Sequence, residues 1–325
     1  MATTNGPAPR FGWAGTGRMG FELVSRLLKA GHDVAVYNRT RSKAQPLADL
    51  GATIVDSPAG LGDRDIVFTM VAGPADLKEV LLGAEGILSA ERRPRLIVDS
   101  TTASPATGAE VRADAEALGV AMLAAPVSGN PKVVKAGRLT ICVSGPRDAW
   151  EEAQPYLELL ARAVTYVGEG EGARLVKICH NLMLGVVSQC MAEITILAEK
   201  GGVSRADFLE FLNDSVMGST FTRYKTPAFV NLDFTPTFTP ALLLKDFHLG
   251  FEAAREHQVP MPVAATAQEI VQGMIGHGYD DIDFAALLEL EARAAQHELE
   301  PDDVPVSDGL GDAEDRPVPV GRAAS

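Results

Sequence analysis

Residues 10–14 (RFGWA) form a short apolar run of strand character, and Gly15-Thr-Gly-Arg-Met-Gly20 follows without a gap. Phe21, Val24, Leu27 and Leu28 then recur at helical spacing up to a stop at Gly31, and residues 33–38 read as a second strand. Strand, glycine turn, helix and strand in this order leave few folds open. A GxGxxG placed there lets the backbone turn tightly and approach a pyrophosphate, whose charge meets the free N–H groups and positive dipole end of the helix. An isolated GxGxxG is often accidental, but in this context it predicts a dinucleotide site that includes Gly15, Gly17, Arg18 and Met19.

The end of the second strand bears on which dinucleotide is bound. An NAD site usually carries Asp or Glu there for the ribose 2′-hydroxyl, whereas this chain has Asn38, Arg39, Thr40 and Arg41. Guanidinium groups make charge-assisted, forked hydrogen bonds to phosphate. NADP is therefore the expected cofactor and NAD the second candidate; the plainer alternative is that Arg39 and Arg41 are merely solvated.

Strands are expected at residues 52–55, 66–71, 96–100 and 120–124, with helices at 75–82 and 104–118. This alternation predicts an α/β fold with a doubly wound parallel sheet of Rossmann type, its ligands at the carboxyl ends of the strands. Met70, Val71, Ser100 and Thr101 are thereby candidates for the cofactor crevice. Residues 137–144 and 165–167 are expected to complete the sheet. Just after the 120–124 strand, Ser128 and Gly129 offer a hydroxyl and backbone N–H groups that suit a carboxylate, although a simple turn accounts for them equally well. No GxSxG elbow accompanies Ser128, so a serine nucleophile is not indicated.

The loop 168–172 leads into Gly172–Lys200, which reads as one helix, roughly 45 Å long at 1.5 Å per residue. Apolar residues occupy most of its circumference, so it is expected to be an interdomain helix buried on all sides. Lys177, His180 and Asn181 share one face at spacings of three and four. Polar residues interrupt any run of about eighteen apolar ones, so no membrane span is expected. From the helix alone, Lys177 is either a functional group or a structural lysine whose ammonium snorkels to water.

The rest predicts an all-α domain, with helices at 204–213, 240–257, 262–275 and 284–297 and an irregular connector at 221–239. Within it, Lys245-Asp246 lies among apolar residues, and one of the two is expected to face something other than water. The acidic segment from Glu298 is expected to be disordered. The divisions are thus a leader at 1–9, a dinucleotide-binding domain at 10–170, an all-α domain for substrate and oligomerisation at 171–297, and a tail at 298–325.

A formal net charge of −14 argues against a nucleic-acid or anionic-membrane partner. Three cysteines without framework or CxxC spacing suggest a reducing compartment and neither disulfides nor a metal site. MATTNGPAPR lacks the apolar core of a signal peptide, and a cytoplasmic location is expected. A helix as long and apolar as 172–200 can be only partly covered by its own domain, which predicts a homodimer or homotetramer.

FGWAGTGRMG, YNRT, VDSTT, APVSG, the GxxxxKxxxN of residues 172–181 and LLLKDFHL, in that order, together resemble the β-hydroxyacid dehydrogenase family. That family includes 3-hydroxyisobutyrate dehydrogenases and tartronate semialdehyde or glyoxylate/succinic semialdehyde reductases, and the resemblance spans residues 10–290. It implies Lys177 as the catalytic lysine, Asn181 as a substrate-fixing asparagine, and Ser128 with Gly129 as the loop for a small substrate's carboxylate. It further implies Lys245 near the nicotinamide and Thr101 as a cofactor contact. Two positions depart from the family pattern, Asn130 where Gly is common and His180 where Asn is common.

Oxidation of an alcohol needs a hydride acceptor and a base, and an unprotonated Lys177 can be that base. The expected function is therefore an NADP(H)-dependent oxidoreductase interconverting a small β-hydroxy acid and its semialdehyde or keto form. The alternatives are an imine reductase, which usually lacks the lysine, and a silent NADP-binding interaction protein. Arg223, Tyr224, Lys225 and Phe238 are further candidates to shape the pocket.

Overall fold

The computed structural model describes residues 8–311. They form two compact units, the first running through Lys177 and the second starting at Ile178, so that the division falls inside the long helix.

The first unit carries six parallel strands in the order β3-β2-β1-β4-β5-β6. These are β1 (Phe11–Ala14), β2 (Val34–Tyr37), β3 (Thr53–Ile54), β4 (Ile66–Thr69), β5 (Leu96–Asp99) and β6 (Ala121–Ala124). Helices α1 (Arg18–Lys29), α2 (Gln45–Ala48), α3 (Pro74–Leu82) and α4 (Pro105–Ala117) lie between them in sequence. The central strands are apolar on both faces because both are covered. Leu23, Val24 and Leu27 of α1 pack with Phe11, Trp13, Val34 and Val36 in one cluster, whereas Leu77, Leu81, Val111 and Ala115 pack with Val67 and Ile97 in another. The strand order reverses between β1 and β4, and in sheets of this kind the ligand crevice lies at that point, outside the carboxyl ends of the strands.

The segments expected to complete this sheet form a separate one. β7 (Val127–Ser128) pairs antiparallel with β8 (Thr140–Val143), which pairs parallel with β9 (Ala163–Tyr166). An isolated Ala124–Ser144 bridge links the two sheets. Pro126, which has no N–H for a ladder, breaks the strand, and α5 (Pro131–Lys135) then reverses the chain. Helix α6 (Arg147–Leu160), absent from the sequence reading, buries Trp150, Ala153, Leu157 and Leu160 despite an internal Pro155.

Helix α7 (Gly172–Lys200) is continuous, and α8 (Arg205–Asp214), α9 (Thr220–Asn231), α10 (Pro240–Glu256), α11 (Pro262–Gly276) and α12 (Leu287–Ala294) make the second unit helical. Two expectations for α7 need correction. It is not buried all round, since Val176, Met183 and Leu197 are 45%, 69% and 73% exposed on the single chain. By length and composition it is also apolar enough to cross a membrane, although half of its most apolar window is buried inside the fold, as in the core helix of a globular protein. Ile178, Leu182, Met191 and Ile196 enter the second unit's core.

Helix α9 replaces the first part of the expected connector. A capping box of Ser219 and Thr222 starts it, and the burial of Ala228, Phe229 and Val230 outweighs the bond lost at Pro227. The expectation of disorder from Glu298 is likewise overturned as far as residue 311. Arg205, fully buried, donates to the carbonyls of Val230 and Glu300 and pairs with Asp302 at 2.8 Å. Asp302 N–H donates to the Val230 carbonyl and Asn231 Nδ2 to that of Val304, while Leu310 is buried. Residues 1–7 and 312–325, the rest of the expected leader and tail, lie outside the described residues.

Candidate active site

The glycine loop follows from close approach. Gly15 has φ +100°, and a Cβ there would lie 2.1 Å from the Met70 carbonyl oxygen. A Cβ on Gly20 would lie 2.0 Å from the Gly15 oxygen, so α1 can approach β1 only with glycine at that position. Gly17 differs: its Cβ would meet nothing within 4 Å. Bare backbone at the N-cap of α1 is what an approaching pyrophosphate requires. No side chain caps that helix and no acidic residue lies in its first turn, so its N–H groups and dipole favour an anion. Arg18 and Met19 occupy the first two helical positions.

Asn38 closes the loop at the end of β2. Its Oδ1 accepts from Thr16 N–H at 2.9 Å, and its Nδ2 donates to the Thr40 carbonyl at 2.9 Å. Arg39, its side chain 82% exposed, pairs with Asp76 at 2.7 Å, and Arg41 pairs with Asp56. These exposed pairs are worth about 0–1 kcal/mol. A phosphate can displace or share them.

A buried polar network underlies the crevice. Asp99, the last residue of β5 and 0% exposed, accepts from Thr69 Oγ1 at 2.7 Å and from Thr101 N–H at 3.1 Å. Thr101 Oγ1 accepts from Val71 N–H at 3.2 Å, tying together the loops after β4 and β5. From the first turn of α7, Arg174 pairs with Asp99 at 2.7 Å and donates to the Thr101 carbonyl at 3.0 Å and to Glu171 Oε2 at 2.7 Å. Arg112 Nε donates to Glu171 Oε1 at 2.7 Å. Burial pulls the Arg174 pKa down, but Asp99 and Glu171 outweigh it and hold the group above its ordinary value. The sequence reading missed Asp99 and Arg174. The available signals were a carboxylate ending an apolar strand and an arginine entering an apolar helix.

Ser128 ends β7, and Gly129 follows with φ +145°. Asn130 is the N-cap of α5: its Oδ1 accepts from Val133 N–H at 3.0 Å, while its buried Nδ2 has no hydrogen-bond partner among the described residues. Lys177 is half-buried and belongs to the first unit.

In the second unit, Gly185 and Gly250 let α7 and α10 approach closely, since a Cβ on either would lie within about 2.6 Å of Phe247 or Leu182. That crossing brings Asn181 to Asp246. Asn181 Nδ2 donates to Asp246 Oδ2 at 2.5 Å, and its Oδ1 lies 2.9 Å from His180 Nδ1. Lys245 Nζ lies 3.4 Å from Asp246 Oδ1. Asp246, 1% exposed, is thus the member of the Lys245-Asp246 pair turned away from water, and it orients the Asn181 amide. Lys225, Tyr224 and Phe238 pack internally instead: Lys225 pairs with Asp283, and Phe238 meets Phe284 edge-on at 5.9 Å. Burial pushes the Tyr224 phenol well above its usual range.

A doubly wound sheet with a bare glycine loop at its switch point defines a dinucleotide-binding protein. The NAD binding domain of 6-phosphogluconate dehydrogenase matches residues 10–168, and the NAD-binding domain of NADP-dependent 3-hydroxyisobutyrate dehydrogenase matches residues 170–290. A probable 3-hydroxyisobutyrate dehydrogenase-like mitochondrial protein of Arabidopsis thaliana is 32% identical over 281 residues, covering 86% of this chain and 84% of that one. Glyoxylate/succinic semialdehyde reductase 2, chloroplastic, of the same plant is 30% identical over 289 residues, covering 88% and 80%. The crystal structure of a 3-hydroxyisobutyrate dehydrogenase from Salmonella typhimurium superposes with a TM-score of 0.79 at 26% identity, covering 87% of this chain and all of that one. The chain belongs to the 3-hydroxyisobutyrate dehydrogenase family of NAD(P)-dependent hydroxyacid dehydrogenases.

Proposed function

We propose that this chain is an NADP(H)-dependent reductase of small carboxylate-bearing semialdehydes or keto acids, and the dehydrogenase of the matching hydroxy acids, with Lys177 as the general acid/base. The observation that carries this reading is Lys177 itself, half-buried one turn beyond an arginine bonded to the strand ends of the dinucleotide crevice. Bound there, a nicotinamide would take up or supply hydride. Lys177 delivers a proton to the carbonyl oxygen in reduction and removes it from the hydroxyl in oxidation. Gly15, Gly17, Arg18 and Met19 receive the pyrophosphate, and Met70, Val71 and Thr101 line the nicotinamide end; the family resemblance gives Lys245 a cofactor role. Ser128 and Gly129 hold the substrate carboxylate, and the family resemblance gives Asn181, its amide oriented by Asp246, a substrate-fixing role.

The absence of an acid at the end of β2, with Asn38, Arg39, Thr40 and Arg41 in its place, supports the 2′-phosphate of NADP. The similarity to an imine reductase of Myxococcus stipitatus, at 23% identity and a TM-score of 0.58, extends to the fold alone, and Lys177 speaks against that chemistry.

Initial rates of NADPH oxidation with glyoxylate, succinic semialdehyde and the methyl ester of the latter test the proposal. Turnover of the carboxylates is expected, with the ester slower. Combined Arg39→Ala and Arg41→Ala should raise the KM for NADPH about 10- to 100-fold and leave that for NADH nearly unchanged, as loss of charge-assisted bonds dictates. Turnover of a cyclic imine but of no carboxylate would transfer the protein to the other class.

A further inference from the structure

We infer that Arg174 is a positioning residue for the chemical step: by bonding to Asp99 and Thr101 it holds the turn of α7 that carries Lys177 against the carboxyl end of β5. The inference rests on the acid/base reading of Lys177 given above.

The Arg174 guanidinium is 1% exposed and reaches three partners in three directions. Nε meets Glu171, one terminal nitrogen meets the Thr101 carbonyl, and the other meets Asp99. Only a planar fork can do this, since an ammonium is a point charge on a flexible stem. Its two partners on the sheet side are the groups that shape the crevice. Asp99 gathers Thr69 and the Thr101 N–H, and Thr101 in turn holds the Val71 N–H. Arg174 is therefore bonded directly to the end of β5 and the loop after it, and through Asp99 and Thr101 to the end of β4 and its loop.

Lys177 lies three residues further along the same uninterrupted helix, on the same face. A shift or rotation of this turn moves both side chains, so the bonds that register Arg174 on the strand ends also register Lys177. Helix α4 is cut back to make room: a Cβ on Gly108 would lie 2.2 Å from Arg174 Nε. The charges alternate along Arg112, Glu171, Arg174 and Asp99, so the cluster is buried with its charge compensated. A buried ion pair contributes little stability beyond what apolar residues of the same volume supply, but it does specify one geometry. Geometry is what a proton transfer needs, because a misplacement of about 1 Å can cost on the order of 10²-fold in rate.

A double-mutant cycle on the full-length chain tests this, reading the single-turnover rate of NADPH oxidation by succinic semialdehyde. Arg174→Gln is expected to lower the rate about 10- to 100-fold when Lys177 is present. In a Lys177→Ala background it should lower the rate less than about threefold, because the group it positions is gone. Arg174→Lys should recover only part of the loss. Equal losses in both backgrounds, or no loss in either, would overturn the inference. If Arg174→Gln does not fold, Asp99→Asn with Arg174→Gln removes both charges and enters the same cycle under the same criterion. Failure of the underlying reading shows separately, as a Lys177→Ala variant that keeps the wild-type rate; that result overturns both, whereas a slow Lys177→Ala with an additive cycle overturns only the role of Arg174.

Discussion

Lys177→Ala is expected to lower kcat in both directions by about 10²- to 10⁴-fold, the usual contribution of a positioned acid/base. NADPH affinity, read from the fluorescence of the bound nucleotide, should stay within about threefold, since the pyrophosphate and ribose contacts are made elsewhere. Lys177→Arg sharpens the result. It retains the positive charge, but a guanidinium does not give up its proton at any working pH, so the variant should bind substrate and remain slow. If Lys177→Arg is as active as the wild type, the lysine supplies charge and not a proton.

Asp283→Asn is expected to destabilise the second unit by about 3–5 kcal/mol, because it leaves the Lys225 ammonium buried without its counter-ion. Asp283 Oδ1 faces Lys225 Nζ and accepts from Ala285 N–H at 2.9 Å, while Oδ2 accepts from Thr237 N–H at 2.9 Å and Thr237 Oγ1 at 2.6 Å. Lys225 Nζ also lies 4.2 Å from the centroid of the Phe284 ring. Burial alone would raise the Asp283 pKa, but the Lys225 ammonium and the hydrogen bonds outweigh it and hold the carboxyl below its usual range. The sign follows directly. The stabilisation is fully present above the unfolded carboxyl pKa of about 3.9 and is lost as pH falls through the lower folded value. Urea unfolding should therefore show a large deficit for Asp283→Asn at neutral pH that narrows under acid. Lys225→Met combined with Asp283→Asn should recover part of the loss, since no charge is then buried alone. A double variant less stable than the single one would contradict this account.

What could be read from the sequence was local. The glycine loop is a run of neighbouring residues, and its pattern holds: Gly15 and Gly20 stand where a Cβ would clash, and Gly17 leaves bare backbone at the N-cap of α1. The six strands of the main sheet were legible because they are continuous apolar runs punctuated by turns. The second sheet was not, because β7 has two residues and its pairing with β8 depends on where Pro126 breaks the chain. Helix α9 was hidden by Pro227, and only its tertiary burial shows why the helix survives. The ordering of residues 298–311 depends on Arg205, about a hundred positions earlier, to which neither charge pattern nor composition points. The site divides in the same way. Lys177 and Asn181 stood out as polar groups on an apolar helix. Asp99 and Asp246 did not, since what each orients is 75 and 65 positions away. The expectation that Tyr224 and Lys225 shape a pocket failed for the same reason: Asp283, the partner that draws Lys225 inward, lies 58 positions on.

The pH dependence of the oxidation rate, measured with a 3-hydroxy acid and NADP under conditions where chemistry limits turnover, tests the role of Lys177 most directly. Because removal of the alcohol proton needs the unprotonated amine, the rate should climb roughly tenfold per pH unit from about pH 6 and level off toward alkaline pH, while reduction holds its rate at neutral pH. An oxidation rate that is flat across the same range would contradict the account.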